Sequence, residues 1–166
     1  MTRPSDVKPR EGEVRGTRWE EYVVGDHLPE MRFTLTPDVI REYEEAIDCT
    51  HERHEADGRH VAVPSVLCVY LMAVLYRKYP PAQGGIMAAN DFDFHAPIRA
   101  DVDTDIVADG RIEEKFEKRG RKYVRYSVQF RRVHDGELIA TAVNTSTFPA
   151  VEEQPPQWRE QREEVA

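Results

Sequence analysis

Residues 65–79, SVLCVYLMAVLYRKY, decide the fold of this chain. Apolar side chains occupy nearly every position before Arg77, and a helix that is apolar on all sides is buried in a protein core. The segment is well short of the roughly 20 apolar residues that span a membrane. Pro80 and Pro81 end it, because proline has no backbone N–H for a helical hydrogen bond. The sequence therefore predicts one long central helix.

The second half of the chain predicts antiparallel strands. Residues 121–133, RKYVRYSVQFRRV, alternate between polar and apolar side chains, as a strand with one buried face does. Asp135-Gly136 follows, and this dipeptide is a strong signal for a hairpin turn. Strand patterns also occupy residues 85–95, 101–115 and 137–148. Helices followed by strands are typical of an α+β domain, and the simplest packing wraps a curved antiparallel sheet around the long central helix.

The first half predicts a strand, a helix and a polar loop. Residues 31–35 alternate as a strand does. Thr36 is a preferred N-cap residue and Pro37 suits the first helical position, so a helix begins here. Its apolar residues recur at helical spacing as far as Ile47. The polar loop that follows separates this helix from the central one.

His54 is the strongest functional candidate on that loop. Functional side chains concentrate on loops that a rigid scaffold holds in place. Asp48 and Cys49 lie a few residues before it. A neutral imidazole accepts and releases protons near neutral pH, and an acidic or thiol neighbour can assist it. The sequence therefore predicts a proton-transfer site of His54, Asp48 and Cys49. A nucleophilic role for Cys49 would need a histidine–acid pairing, which the sequence does not make evident.

Length and composition predict a single domain. A chain of 166 residues matches the usual size of one domain. We place it at residues 17–150, between a flexible N-terminal segment at 1–16 and an acidic C-terminal tail at 151–166. Apolar residues make up 40% of the chain, and a small domain buries a limited fraction of its surface. Association into an oligomer is therefore expected.

Charge and cysteine content exclude several classes of protein. The net charge of -8 argues against a nucleic-acid partner, because phosphate binding needs a basic surface. The N-terminus lacks the apolar core of a signal peptide, so we predict a cytoplasmic protein with no membrane partner. Cys49 and Cys68 form no disulfide framework and are expected to be reduced. His51, His54 and Asp48 lack further ligands at characteristic spacing, so no metal and no cofactor is predicted.

An ordered set of segments resembles the MaoC-like dehydratase/hydratase branch of the hotdog fold. These segments are Gly25-Asp26, YEEA at 43–46, VAVPS at 61–65, FHAPIRAD at 94–101 and DGEL at 135–138. The resemblance implies a hydro-lyase that interconverts 3-hydroxyacyl and 2-enoyl thioesters of coenzyme A or acyl carrier protein, in fatty-acid, polyketide or other acyl metabolism. It also implies a homodimer, or a heterodimer with a second hotdog subunit, with sites at the interface.

The family's hydratase motif, Asp-x-Asn-Pro-x-His, implies roles for residues on the polar loop. His54 falls at the motif's histidine, His51 at its asparagine and Cys49 at its aspartate. Asp48 lies one residue early, where the family commonly has glycine. The resemblance thus implies His54 as acid/base and His51 as a substrate-binding residue. The loss of the aspartate also resembles the acyl-binding subunits of heterodimeric dehydratases, in which the other chain supplies the catalytic residues.

The resemblance also implies where a thioester binds. Backbone N–H groups of Ser65 and Val66, just after Pro64, would stabilise the thioester oxygen at the start of the central helix. Val69 and Met72 would line an acyl tunnel, although apolar residues at helical spacing are more often plain core.

Three functions remain open from the sequence. The first is a dehydratase/hydratase, and the second is a non-catalytic acyl-binding subunit of a heterodimeric dehydratase. The third is a thioesterase, which shares the fold but typically uses a carboxylate on the central helix. Residues 65–79 contain no Asp or Glu, which argues against a thioesterase.

Overall fold

The structure is a computed structural model that describes residue 3 and residues 16–49, 54–81 and 85–148. Two helices and seven strands follow one another along these ranges. They are β1 His27–Leu35, α1 Pro37–Ala46, β2 Glu55–Ala56, β3 Arg59–His60, α2 Cys68–Tyr76, β4 Ile86–Phe94, β5 Thr104–Lys118, β6 Arg121–Arg132 and β7 Leu138–Phe148. The predicted N-terminal segment and acidic tail fall almost wholly outside the described residues and stay predictions.

Five strands form one antiparallel sheet in the order β1-β5-β6-β7-β4. Register shifts, typical of β-bulges, interrupt four of its strand pairings, and bulges bend and twist strands. Buried residues of α2 and of the sheet form one core cluster. On β6 the buried residues alternate as the sequence predicts: Val124, Tyr126, Val128 and Phe130. The α+β class and the antiparallel sheet are confirmed.

The predicted long central helix is wrong in its length. Residues Pro64–Leu67 form a 3-10 turn, and the α-helix α2 runs only from Cys68 to Tyr76. Two prolines explain the two ends. Pro64 opens the tight turn at its first position. At the other end, Tyr79 precedes Pro80, and a residue before proline is disfavoured in the helical region. The α-helix still lies in the core, with Tyr70, Leu71 and Val74 fully buried.

A small hairpin, β2 paired with β3, lies inside the segment that the sequence predicted to be an irregular loop. Asp57 and Gly58 turn it, with φ angles of 51° and 68°. Two positive φ values are what an Asp-Gly hairpin turn requires. The dipeptide was a usable signal, but each strand has only two residues, and neither carries an apolar alternation.

The helix cap that the sequence predicts is present. The Thr36 side chain accepts a hydrogen bond from the Val39 backbone N–H at 3.3 Å, and Pro37 is the first residue of α1. This bond satisfies one of the unpaired N–H groups of the first turn. Among the described residues, no helix is long and apolar enough to cross a membrane.

A charged cluster ties the turn before β1 to the chain after α2. Asp26 accepts a hydrogen bond from Lys78 Nζ at 2.6 Å and another from the Tyr79 hydroxyl. These two bonds hold the pKa of Asp26 below its ordinary value of 3.8. Burial, followed by the bond to Asp26, raises the pKa of Tyr79 to about 12. The cluster therefore favours an ionised carboxylate facing a neutral phenol.

We expect Asp26→Asn to lower the free energy of unfolding by about 1–2 kcal/mol near neutral pH, because hydrogen bonds to a charged group are lost at a partly exposed site. Since folding lowers the pKa of Asp26, its contribution is complete above about pH 3.8 and is lost as pH falls below that value. Urea unfolding of both proteins near pH 7 and near pH 3 measures this. If the wild type and Asp26→Asn differ in free energy of unfolding by the same amount at both pH values, the predicted contribution of ionised Asp26 is contradicted.

Candidate active site

His54 and Cys49 lie in contact after the end of α1. Cys49 Sγ is 3.4 Å from His54 Nε2, within the range of a hydrogen bond to sulfur. Both side chains are partly exposed. Either the thiol donates to the imidazole or the imidazole N–H donates to the sulfur, depending on the tautomer of His54. The structure therefore joins two of the three predicted proton-transfer residues.

The end of α1 aims Cys49 at His54. The Cys49 N–H donates to Glu44 O at 2.8 Å, and the Asp48 N–H donates to Glu45 O at 3.2 Å. Together these bonds form a Schellman motif, which reverses the chain at a helix C-terminus. Asp48 occupies its left-handed position, with φ 55°. This position favours glycine, the residue that the resembling family commonly has there.

Asp48 is thus placed as a turn residue, with an exposed side chain. We expect Asp48→Gly to leave any turnover within about twofold and to raise the free energy of unfolding by up to about 1 kcal/mol, because glycine tolerates the left-handed conformation. Urea unfolding measures the second effect, and loss of the enoyl absorbance of a crotonyl thioester measures the first. Asp48→Asn is the matched control, since it removes the charge but keeps a residue that tolerates this conformation. Loss of turnover in both variants would instead assign Asp48 a catalytic role.

The β2–β3 hairpin fixes the backbone of His54. The Val61 N–H donates to His54 O at 2.9 Å, directly after the hairpin closes. The segment that follows is bonded to the chain before β5: the Ala62 N–H donates to Ile98 O at 2.9 Å, and the Ala100 N–H donates to His60 O at 3.1 Å. His54 is therefore anchored through the hairpin to the edge of the domain core.

The start of the central helical segment forms a second part of the site. Tyr43 of α1 donates its hydroxyl hydrogen to Ser65 Oγ at 3.0 Å. Ser65 Oγ accepts this bond through one of its lone pairs, so the Ser65 hydroxyl keeps its own hydrogen to donate to a ligand. The Val66 N–H donates to Val63 O at 3.0 Å, so this predicted donor is already used within the 3-10 turn. Ser65 therefore carries the donors that the turn leaves for a ligand.

Glu44 of α1 carries an acidic side chain to which the sequence assigned no role. Its Oε1 is buried and has no hydrogen-bond partner among the described residues. A buried carboxylate oxygen without a partner is costly, so this oxygen calls for a proton or for a partner beyond the described residues. Glu44 also supplies the backbone carbonyl that holds Cys49. The sequence pointed to this residue, and to Tyr43, only as part of the YEEA segment.

Two of the remaining predicted residues, Pro64 and Met72, each lie in the wall of a cavity. One, of about 280 Å³, has Pro64 in its wall together with Leu67, Phe94 and Ile98. The other, of about 240 Å³, has Met72 in its wall. Val69 is exposed on the surface of α2. His51 lies outside the described residues. No group of three or more His, Cys, Asp or Glu side chains within the described ranges could hold a metal ion.

Comparison with solved structures identifies the fold of this chain. No protein-family model and no curated protein matches the sequence. The (R)-hydratase PhaJ1 from Pseudomonas aeruginosa is similar, with a TM-score of 0.62 and 15% identity over 85% of this chain and 95% of that one. The MaoC-like dehydratase from Rhodospirillum rubrum is also similar, with a TM-score of 0.62 and 17% identity over 82% and 97%. The chain has the MaoC-like hotdog fold.

A third solved structure shares the MaoC-like hotdog fold but belongs to a complex. HadBC from Mycobacterium tuberculosis, a (3R)-hydroxyacyl-ACP dehydratase, has a TM-score of 0.60 and 19% identity over 84% of this chain and all 100% of that one. The fold that the resemblance implied is therefore confirmed. Sequence identities of 15–19% in these three comparisons support the fold and leave the activity of this chain to its own residues.

Proposed function

We propose that this protein interconverts 2-enoyl and 3-hydroxyacyl thioesters, carried on coenzyme A or acyl carrier protein, with His54 as the acid/base group. The contact between His54 and Cys49 carries the proposal. It sits on the loop after α1, at the spacing of the family's hydratase motif, in a chain with the MaoC-like hotdog fold. Near neutral pH a histidine can hold or release a proton, which reversible addition of water requires.

The proton transfers can be followed atom by atom. In hydration, a base takes one proton from water while the water oxygen bonds to the β carbon, and the α carbon gains a proton. Dehydration reverses these steps. His54 Nε2 faces the Cys49 sulfur. If Nε2 carries the hydrogen and donates it to sulfur, Nδ1 has a free lone pair and acts as the base.

Ser65 and Glu44 support the same chemistry. The thioester oxygen gains negative charge in the transition state, and preorganised donors stabilise such an oxygen. The Ser65 N–H and hydroxyl are our candidates, because the Val66 N–H is already bonded. Glu44 is the candidate for the second proton-transfer group, because its Oε1 is buried with no hydrogen-bond partner in the described part of the chain. Val69 and Met72 remain candidates for contact with the acyl chain.

The alternative is an acyl-binding subunit of a heterodimeric dehydratase. One observation favours it: a thiol occupies the place of the motif's aspartate, and a neutral thiol is a weaker partner for imidazole than a carboxylate. A thioesterase is less favoured, since α2 carries no Asp or Glu.

Both main functions call for a second hotdog subunit, and β4 offers the surface for it. This strand lies at one edge of the sheet. Its Ile86, Met87 and Phe94 side chains are exposed by 60%, 54% and 46%. An apolar edge strand is a template for pairing with another chain. We propose that β4 pairs with a second copy in the first function and with a different subunit in the alternative.

The direct test is turnover by the purified protein alone. A crotonyl thioester and a longer 2-enoyl thioester are supplied, and loss of the enoyl absorbance is followed. Hydration of either substrate supports the proposed function. If the folded protein hydrates neither substrate, self-sufficient activity is rejected and the acyl-binding subunit is favoured. In that case activity should appear only when a second hotdog chain is added. Light scattering on the same sample reports whether the protein is a dimer.

A further inference from the structure

The cavity beside Met72 has a wall of mixed character. It measures about 240 Å³ and lies between α2 and the inner face of the sheet. Phe148 of β7 contributes an aromatic ring, and Tyr22, Tyr76 of α2 and Tyr126 of β6 contribute rings that carry hydroxyls. Ser146 of β7 brings a further hydroxyl. Among the described residues, no charged side chain lines this cavity. A ligand in this cavity should therefore be neutral and largely apolar. Any polar group that it carries should form a hydrogen bond with one of these hydroxyls.

Tyr126 is the first of two polar groups that call for a ligand. It is fully buried, with 0% of its surface exposed. Its hydroxyl contacts Met72 Sδ at 3.1 Å, and both residues line the cavity. A thioether sulfur is a weak acceptor, whereas buried hydroxyls normally have a full hydrogen-bond partner. An oxygen atom in the cavity would be the better acceptor for this donor.

Ser146 is the second polar group. Its hydroxyl donates to Asn144 Oδ1 at 2.8 Å, and Asn144 Nδ2 in turn donates to Asn90 Oδ1 at 2.5 Å. The Ser146 hydrogen is thereby committed, which leaves its oxygen to accept from the cavity side. Inward positions of β7 change from Ala140 and Ala142 to Asn144 and Ser146, although apolar residues would suit a plain core better.

The two groups lie on neighbouring strands and line the same cavity. Tyr126 pairs with Asn144 across β6 and β7, and Ser146 lies two residues further on the same face of β7. Burial raises the pKa of Tyr126 well above its ordinary value of 10.0, so the phenol stays protonated and remains a donor. The wall thus offers a buried donor, Tyr126, and an acceptor, Ser146, beside the hydroxyls of Tyr22 and Tyr76 and the apolar side chains.

We propose that this cavity binds a neutral, mainly apolar group that carries one hydroxyl or keto oxygen, which accepts from Tyr126. A hydroxyl on that group would also donate to Ser146. A cavity of about 150 Å³ can hold benzene, so this one has room for a ring with a short substituent. Naming that group as the far end of the acyl chain rests on the proposed function. Met72 lies seven residues beyond Ser65, about 10 Å along a helix.

The test is binding of two matched probes, 4-propylphenol and propylbenzene, to the full chain by calorimetry. A wholly apolar cavity would bind propylbenzene more tightly, because burying an unpaired hydroxyl is costly. We expect the reverse order here, with 4-propylphenol bound about threefold to tenfold more tightly. Tyr126→Phe should abolish or reverse that preference. Tyr123→Phe, on the same strand and with a partly exposed side chain, is the control and should keep it.

Tighter binding of propylbenzene by the wild-type protein, or no binding of either probe, would overturn the proposal. If Tyr126→Phe fails to fold, Ser146→Ala provides the second variant and should reduce the preference about threefold. The proposal would also be overturned if Tyr126→Phe and Ser146→Ala both fold and both keep the wild-type preference for 4-propylphenol. Because the probes carry no thioester, binding is measured without turnover. An inactive protein that still prefers 4-propylphenol would therefore reject self-sufficient hydratase activity and keep the cavity site.

Discussion

We expect His54→Asn to lower the rate of thioester hydration by about 10²–10⁴-fold, the usual contribution of a positioned acid/base group. Asparagine keeps a polar side chain on the loop but cannot exchange a proton near neutral pH. The fold should be unaffected, because backbone bonds of the hairpin, such as that from the Val61 N–H to His54 O, hold the residue in place. Initial rates with a crotonyl thioester, measured beside circular dichroism of each protein, give the result.

The matched control for this prediction is His60→Asn. His60 pairs with Glu55 across the same hairpin, so the substitution changes an imidazole at a neighbouring place in the fold. It should keep hydration within about threefold of the wild-type rate, since no proton-transfer role is assigned to it. Equal losses in the two variants would show that the hairpin is sensitive to substitution in general. Full activity in His54→Asn would remove His54 from the reaction.

The second large effect is a gain: Cys49→Asp should raise the rate of hydration about tenfold or more. The substitution places a carboxylate beside Nε2 of His54, where the sulfur now lies 3.4 Å away. An ionised carboxylate only accepts, so it would hold the hydrogen on Nε2 and keep Nδ1 free as the base. The added negative charge also stabilises protonated imidazole, so the acid limb of the pH–rate profile should move to higher pH.

Two further variants sharpen this result. Cys49→Ala removes the sulfur without adding a charge, and we expect a change of less than about threefold, since a thiol is a weak partner. Loss of all activity in Cys49→Ala would instead indicate a nucleophilic cysteine. Cys68→Ala is the matched control, because Cys68 is the chain's other free thiol and is also partly exposed. If Cys49→Asp folds but hydrates no faster than the wild type, Cys49 does not occupy the functional position of the motif's aspartate.

Local rules account for the parts of the fold that could be predicted from the sequence. The Thr36 cap and the alternation along β6 involve side chains and backbone groups within a few residues of each other. The burial of α2 follows from its apolar composition. The length of the helix was predicted wrongly, because Pro64 opens a 3-10 turn before the α-helix and the α-helix ends at Tyr76, several residues before Pro80.

The candidate site was less predictable, because it depends on turns and on contacts between distant segments. His54 reaches Cys49 only through a Schellman motif that puts Asp48 in the left-handed region, and through a hairpin of two-residue strands. The bond from Tyr43 to Ser65 joins residues 22 positions apart. The pair of Tyr126 and Met72 is 54 positions apart. The periodicity of apolar residues within one segment cannot predict contacts between residues that are so far apart in the sequence.

One measurement tests the central claim most directly: hydration of a crotonyl thioester in D₂O, followed by proton NMR. If the protein catalyses reversible addition of water with His54 as the proton-transfer group, the wild type yields a 3-hydroxyacyl thioester with a single deuteron at the α carbon. His54→Asn should yield little or none in the same time. Product that forms equally fast with both proteins, or that forms with neither although both are folded, would contradict the account.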